Sequence, residues 1–242
     1  MAGTMTGGWA QAAPPKARPG RLTYPKGASW KTEETMVMAS MGQPGADASA
    51  AMPPASSAVM AYAVEKVFPD GAALVSQTPV SCKKGASLKD LKDAPLPNGG
   101  KPGYSLYTRD GRMFMVQGAM KAGSPAEEAV MQENGNVDEV ELLKASATTA
   151  QYFKVMRNQS PLDQYRIPAK RLAPGGQARV DTYAVTRLPD ATVNGVVCEV
   201  YRGVMDPLVE TDWLDAKAGR IVKRTVVQGD PAQMEITQTV IQ

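Results

Sequence analysis

The chain has 242 residues, with 27 Lys+Arg against 24 Asp+Glu, two cysteines and no histidine. Without histidine there is no Ser-His-Asp or Cys-His nucleophile, no His-ligated zinc and no imidazole pH switch. Two cysteines cannot make a Cys₄ metal site, and a formal net charge of +3 is too small for a concentrated nucleic-acid footprint.

Residues 1–24 are rich in Gly, Ala and Pro, lack periodicity and read as a tail or linker. Trp9-Ala10-Gln11-Ala12-Ala13-Pro14 has the small-x-small pattern of an export-signal cleavage site. The same letters also suit a plain disordered tail. Ser29 to Met41 predicts a first strand, and the Pro/Ala/Ser segment to Ser57 a long loop. Ala58 to Phe68 is the return strand, and Pro69-Asp70-Gly71 turns it into a third strand over Ala72 to Thr78. Pro79 to Gly103 reads as irregular. Arg109-Asp110-Gly111 then closes a hairpin of Tyr104–Thr108 and Arg112–Gln117, expected to bring Tyr107, Phe114 and Val116 to a common face.

The middle of the chain is the helical territory, an insert of about 124–157. Ser124-Pro125-Ala126-Glu127 fits a capping box, stopping at Asn134-Gly135. A second helix opens at Asn136-Val-Asp-Glu139, with Val140, Leu143, Ala147 and Ala150 on one face and a break near Thr148-Thr149. From Arg179 onward strands return, with turns at Asn194-Gly195 and Asp215–Gly219 and a closing strand Met234–Ile241. Strands flanking a helical insert predict a single domain over 25–242 of the α+β class, mostly β.

Little catalytic chemistry stands out. Glu33-Glu34, Glu127-Glu128 and Asp138-Glu139 are adjacent pairs, which on a strand point to opposite faces and at a helix start serve the macrodipole. Asp206, Asp212 and Asp215 lack the spacing of a calcium loop. No metal or cofactor is expected, no nucleic acid, and no transmembrane segment. Cys82 and Cys198 are open to two readings, one long-loop disulfide or two buried thiols. The methionines concentrate in the first two thirds. Met walls suit adaptable apolar binding surfaces, and the same residues also fill irregular cores.

Val193-Asn-Gly195-Val-Val-Cys198-Glu-Val200-Tyr201-Arg202, then Thr211-Asp-Trp213-Leu-Asp215-Ala-Lys-Ala-Gly219-Arg-Ile221-Val222-Lys223, and a final Met234-Glu-Ile236-Thr, form a pattern. It resembles the outer-membrane lipoprotein carrier and sorting (LolA-like) superfamily, over about a fifth of the chain. The strands at Ser29–Ser76 depart from that family's long N-terminal helix. The resemblance implies a periplasmic or secreted protein with a strongly curved antiparallel sheet, a half-barrel whose concave face is covered by the middle helices. Its function would be non-enzymatic, carrying a lipid, acyl chain or other apolar cargo. Candidate pocket residues are Trp30, Met36, Met38, Met60, Tyr62, Phe114, Met115, Leu143 and Trp213. The alternative is a structural or interaction domain of a cell-envelope protein, with a filled core and an envelope partner. A continuous apolar cavity of about 300 Å³ or more enclosed by the sheet is what separates the two, a filled core counting against the carrier.

Overall fold

The computed structural model describes residues 21–38, 55–117, 138–155, 162–163, 165–229 and 232–241. The expected fold class is the one observed: mostly β, with one large antiparallel sheet that does not close and two short helices. The strands are β1 (Ser29–Met38), β2 (Ala55–Val67), β3 (Ala73–Gly85), β4 (Lys92–Asp93), β5 (Gly103–Tyr107), β6 (Arg112–Val116) and β7 (Leu162–Asp163). They continue with β8 (Gln177–Val180), β9 (Tyr183–Val193), β10 (Val196–Met205), β11 (Leu208–Asp215), β12 (Arg220–Gln228) and β13 (Met234–Val240). The helices are α1 (Glu139–Ala145) and α2 (Thr149–Val155). The sheet order is β7-β6-β5-β3-β2-β1-β13-β12-β11-β10-β9-β8, with β4 added on β3. It consists of two meanders joined where β1 pairs with β13, Glu34 opposite Gln238.

Turn chemistry sets the hairpins. Asn194 and Gly195 both adopt positive φ between β9 and β10, as the sequence predicts. Two expectations change. β3 runs on through Pro79 to Gly85, which the sequence suggested was irregular. Pro79 sits opposite Met60 where the β2–β3 register shifts, a place where a residue without an N–H is tolerated. Tyr107 does not share a face with Phe114 and Val116, because it pairs with Met113 while Phe114 pairs with Leu106.

The sheet curls tightly. Leu22 N–H donates to the Arg109 carbonyl at the β5–β6 turn, and Thr23 N–H to the Gly219 carbonyl at the β11–β12 turn. Those turns belong to strands five spacings apart in the sheet order, about 24 Å if the sheet were flat. Neighbouring residues of one extended segment can bond to both only if the sheet wraps around that segment. The tail expected to extend through residue 24 therefore ends sooner, since Leu22 is buried in the domain.

Each face has its own cover. On the outward side, Leu74, Leu106, Phe114 and Val116 pack with Phe68, Val140, Leu143 and Tyr152, so the helices close the β3–β5–β6 end. Asp138 caps α1, accepting from the Glu141 N–H at 2.9 Å. Lys66 Nζ closes the other end of α1, donating to the carbonyls of Leu143, Lys144 and Ser146. The expected break follows, but Ala147 and Ala150 are exposed and Tyr152 takes the buried position. This refines the expected cover: the inward, aromatic face is closed by two extended segments, 21–28 and 165–172, packed on Tyr62, Tyr107, Tyr183 and Tyr201. The helix expected at Ser124–Asn134 lies outside the described residues.

Candidate functional site

Trp30 on β1 and Tyr62 on β2 are cross-strand partners, their rings stacked with centroids 5.2 Å apart and planes 3° from parallel. Two spaces adjoin this pair. The inward one is a cavity of about 30 Å³, lined among others by Tyr24, Tyr107, Tyr165, Val222 and Gln238. That volume suits a single water. The outward one is an open cleft of about 430 Å³ over Ser29, Lys31, Ala61, Ala63, Ser76 and Thr78.

The cleft is a product of register. Ser29, Ala63 and Ser76 stand in one cross-strand row, and Lys31, Ala61 and Thr78 in the next. Alternation sends Trp30 and Tyr62 inward and these small residues outward. Six neighbouring positions with no branched or aromatic side chain among them except Thr78 leave a trough. Its surface combines Ala methyls and the Lys31 stem with hydroxyls and one ammonium. Ser76 Oγ donates to Glu65 Oε1 at 2.6 Å, and the same row continues to Tyr104, over which Lys144 Nζ lies 5.6 Å from the ring centre. The trough thus runs toward the C-terminal end of α1.

The inward face is filled rather than hollow. Arg21 donates to Tyr201 Oη at 2.6 Å and Glu199 Oε2 at 2.7 Å, and Arg171 reaches Glu199 Oε1 at 2.9 Å. Burial alone would raise the Glu199 pKa, but the Tyr201 hydroxyl and Arg21 outweigh it and hold the carboxylate below its ordinary value. Arg187, fully buried, pairs with Asp190 and lies over the Tyr201 ring. Deeper in, Glu210 accepts from Arg224 at 3.3 Å and faces Arg166 at 3.6 Å. Burial first, then neighbouring tyrosine charge, pushes the Tyr24 and Tyr107 phenols up, and burial raises Tyr165 against the opposing pull of Arg224, so all three stay neutral.

The nine pocket candidates do not converge. Trp30, Met36, Met38, Met60 and Tyr62 share the inward face, and Trp30 and Tyr62 border both spaces. Phe114 and Leu143 belong instead to the helix-covered core, because Phe114 alternates with the inward positions. Met115 is 61% exposed. Trp213 pairs with Lys223 on the outward face, the ammonium 5.0 Å from its ring centre. The disulfide reading is corrected: Cys82 on β3 and Cys198 on β10 are both buried and unbonded, six strand spacings apart. The small residues of the cleft were missed, since Ala and Ser signal nothing singly. Only register reveals them as neighbours.

Among the described residues, no group of three acidic or cysteine side chains is arranged to hold a metal, and no helix is long and apolar enough to cross a membrane. No family model matches the chain, and neither does a curated protein. Solved structures do show similarity. One is a domain from Vibrio parahaemolyticus assigned to outer membrane lipoprotein sorting, at 9% identity over 92% of this chain and 86% of that one, with a TM-score of 0.26. A LolA superfamily protein from Nitrosomonas europaea is 6% identical over 93% and 89%, TM-score 0.27. A DUF1329 family protein from Desulfovibrio piger is 11% identical over 88% and 84%, TM-score 0.21. Superposition this loose carries no functional inference.

Proposed function

We propose that this is a non-enzymatic binding domain of the cell envelope, periplasmic or secreted, that takes a slender apolar cargo such as an acyl chain along the outward cleft. One observation carries the reading: the floor of the open cleft is built from small side chains on three paired strands, which leaves room for an extended chain to lie along it. Alkyl contact with Ala61, Ala63, the Thr78 methyl and the Lys31 stem would supply most of the affinity. Lys31 and Ser29 would fix a polar or anionic head. The sequence-derived pocket is thereby moved from the inward face to the opposite side of the same strands.

Dansyl-labelled undecanoic acid is the probe. Binding by the full chain should raise the dansyl emission, and Ala63→Trp, which fills the trough, should weaken it about tenfold or more while far-UV circular dichroism stays unchanged. No binding by the wild-type chain, or equal binding by the variant, overturns the cleft reading. One observation favours the second reading, an interaction domain with a filled core: the inward cavity holds no more than one water. Absence of probe binding with an intact fold would support it.

A further inference from the structure

Residues 21–24, the first of the two segments that close the inward face, are held as an extended peptide ligand is held. Arg21 donates to Glu199 Oε2 and Tyr201 Oη, and its guanidinium lies 5.7 Å from the Tyr201 ring centre. Leu22 is 1% exposed and belongs to the cluster of Tyr183, Val185, Tyr201 and Leu214. Thr23 N–H donates to the Gly219 carbonyl at 2.7 Å, and its hydroxyl to the Ala218 carbonyl at 2.7 Å. Tyr24 sets its ring 5.5 Å from that of Tyr107. The seat is shaped for this segment, since a Cβ on Gly219 would come within 2.4 Å of Thr23 Oγ1 and 3.1 Å of the Arg21 carbonyl oxygen.

These partners are remote in sequence, Glu199 by 178 positions from Arg21 and Ala218 by 195 from Thr23. None of them belongs to β1, the strand that the segment leads into. The link to β1 is a single turn, Pro25-Lys26-Gly27-Ala28, closed by Ala28 N–H donating to the Pro25 carbonyl at 3.0 Å. Gly27 takes the third position at φ 75°, the left-handed value that such a turn needs there. Pro25, Lys26 and Gly27 are exposed, and a Cβ on Gly27 would meet nothing within 4 Å. Seat and link are therefore separable. With the turn opened, the same contacts can be made by an arm that belongs to another chain.

We propose that this seat is a docking site for the 21–24 segment of a second copy, so that two chains dimerise by exchanging these arms. The seat offers acceptors, the Glu199 carboxylate and the carbonyls of Arg109, Ala218 and Gly219. The arm brings the matching donors, a guanidinium, the Leu22 and Thr23 N–H groups and a hydroxyl, and every copy carries it. Exchange conserves each arm contact, so the balance is set by the 25–28 turn and by protein concentration. An arm tied by so short a link competes from within its own chain at a high effective concentration, which keeps the dilute protein monomeric. The exchange does not depend on the outward cleft.

Size exclusion with light scattering tests it, on the full chain equilibrated at rising concentration. The wild-type chain should pass from monomer to dimer. Gly27→Val strains only the closed turn, because a β-branched residue resists a φ of 75° and is at ease in an extended hinge. It should shift dimerisation to concentrations lower by about tenfold or more. Leu22→Asp leaves no arm able to seat and should hold the chain monomeric, alone and combined with Gly27→Val. Arg21→Glu, at a more exposed site, sets like charge against Glu199 and should do the same with far-UV circular dichroism unchanged. In the dimer the Thr23 amide should stay protected from hydrogen exchange, still bonded to a Gly219 carbonyl. Gly27→Val with no gain in dimer overturns the proposal, as does a dimer that persists in both arm variants. So does loss of Thr23 protection on dimerisation, which would mean an arm released rather than exchanged.

Discussion

The helix-covered end of the sheet and the curled interior are stabilised by different physics. At the β3–β5–β6 end, Leu74, Leu106, Phe114, Val140 and Leu143 form an apolar cluster, with the buried Glu139 carboxylate accepting from Tyr152 Oη at its edge. In the interior, the largest fully buried side chains include Arg187, Tyr201, Glu210 and Asp212, held by ion pairs and ring stacking. The first region depends on area and shape, and the second on charge balance. The contrast shows why one end needs helices while the other is closed by extended segments. A helix offers an apolar stripe, whereas an extended strap offers a backbone N–H and a side chain at each step, as Arg166 does to Asp212 and Glu210.

The sharpest way to break the contrast is Glu210→Ala. It strips Arg166 and Arg224 of their shared partner in a dry site, and should cost about 3–5 kcal/mol by urea unfolding. A loss under 1 kcal/mol would show that the charged layer is solvated. Leu143→Ala comes next, at about 2–4 kcal/mol for a fully buried leucine. Its amide-exchange signature should stay in α1, α2 and β6, leaving β10 and β11 protected. Equal loosening of both ends would mean one cooperative unit rather than two unlike ones. The smallest effect belongs to Asp138→Ala, which removes the α1 N-cap and should lower stability by about 1 kcal/mol in thermal unfolding.

Much of the fold was legible in local chemistry. Asn194-Gly195 and the Asp215–Gly219 turn predict their hairpins because positive φ is written in residue type, and the break between α1 and α2 follows from Thr148-Thr149. Pro79 misled, since a proline marks either a strand's end or a bulge within it, and only the partner strand decides. The site was far less legible. Trp30 and Tyr62 stand out by size, but Ala61, Ala63, Ser76 and Thr78 become a trough only when β1, β2 and β3 pair in this register. Likewise Arg166 and Asp212 are 46 positions apart and carry no shared motif.

The composition alone, with no histidine and two cysteines, removed whole classes of chemistry, and alternation with turn residues determined a mostly-β meander. Both are properties of single residues and near neighbours. Tertiary structure decided what fills the curl, which face keeps a cleft, and that Cys82 and Cys198 stay apart. Those outcomes depend on how strongly the sheet bends around residues 21–28 and 165–172. That bend sums long-range contacts, Leu22 to Arg109, Thr23 to Gly219 and Arg166 to Asp212, which no local pattern encodes.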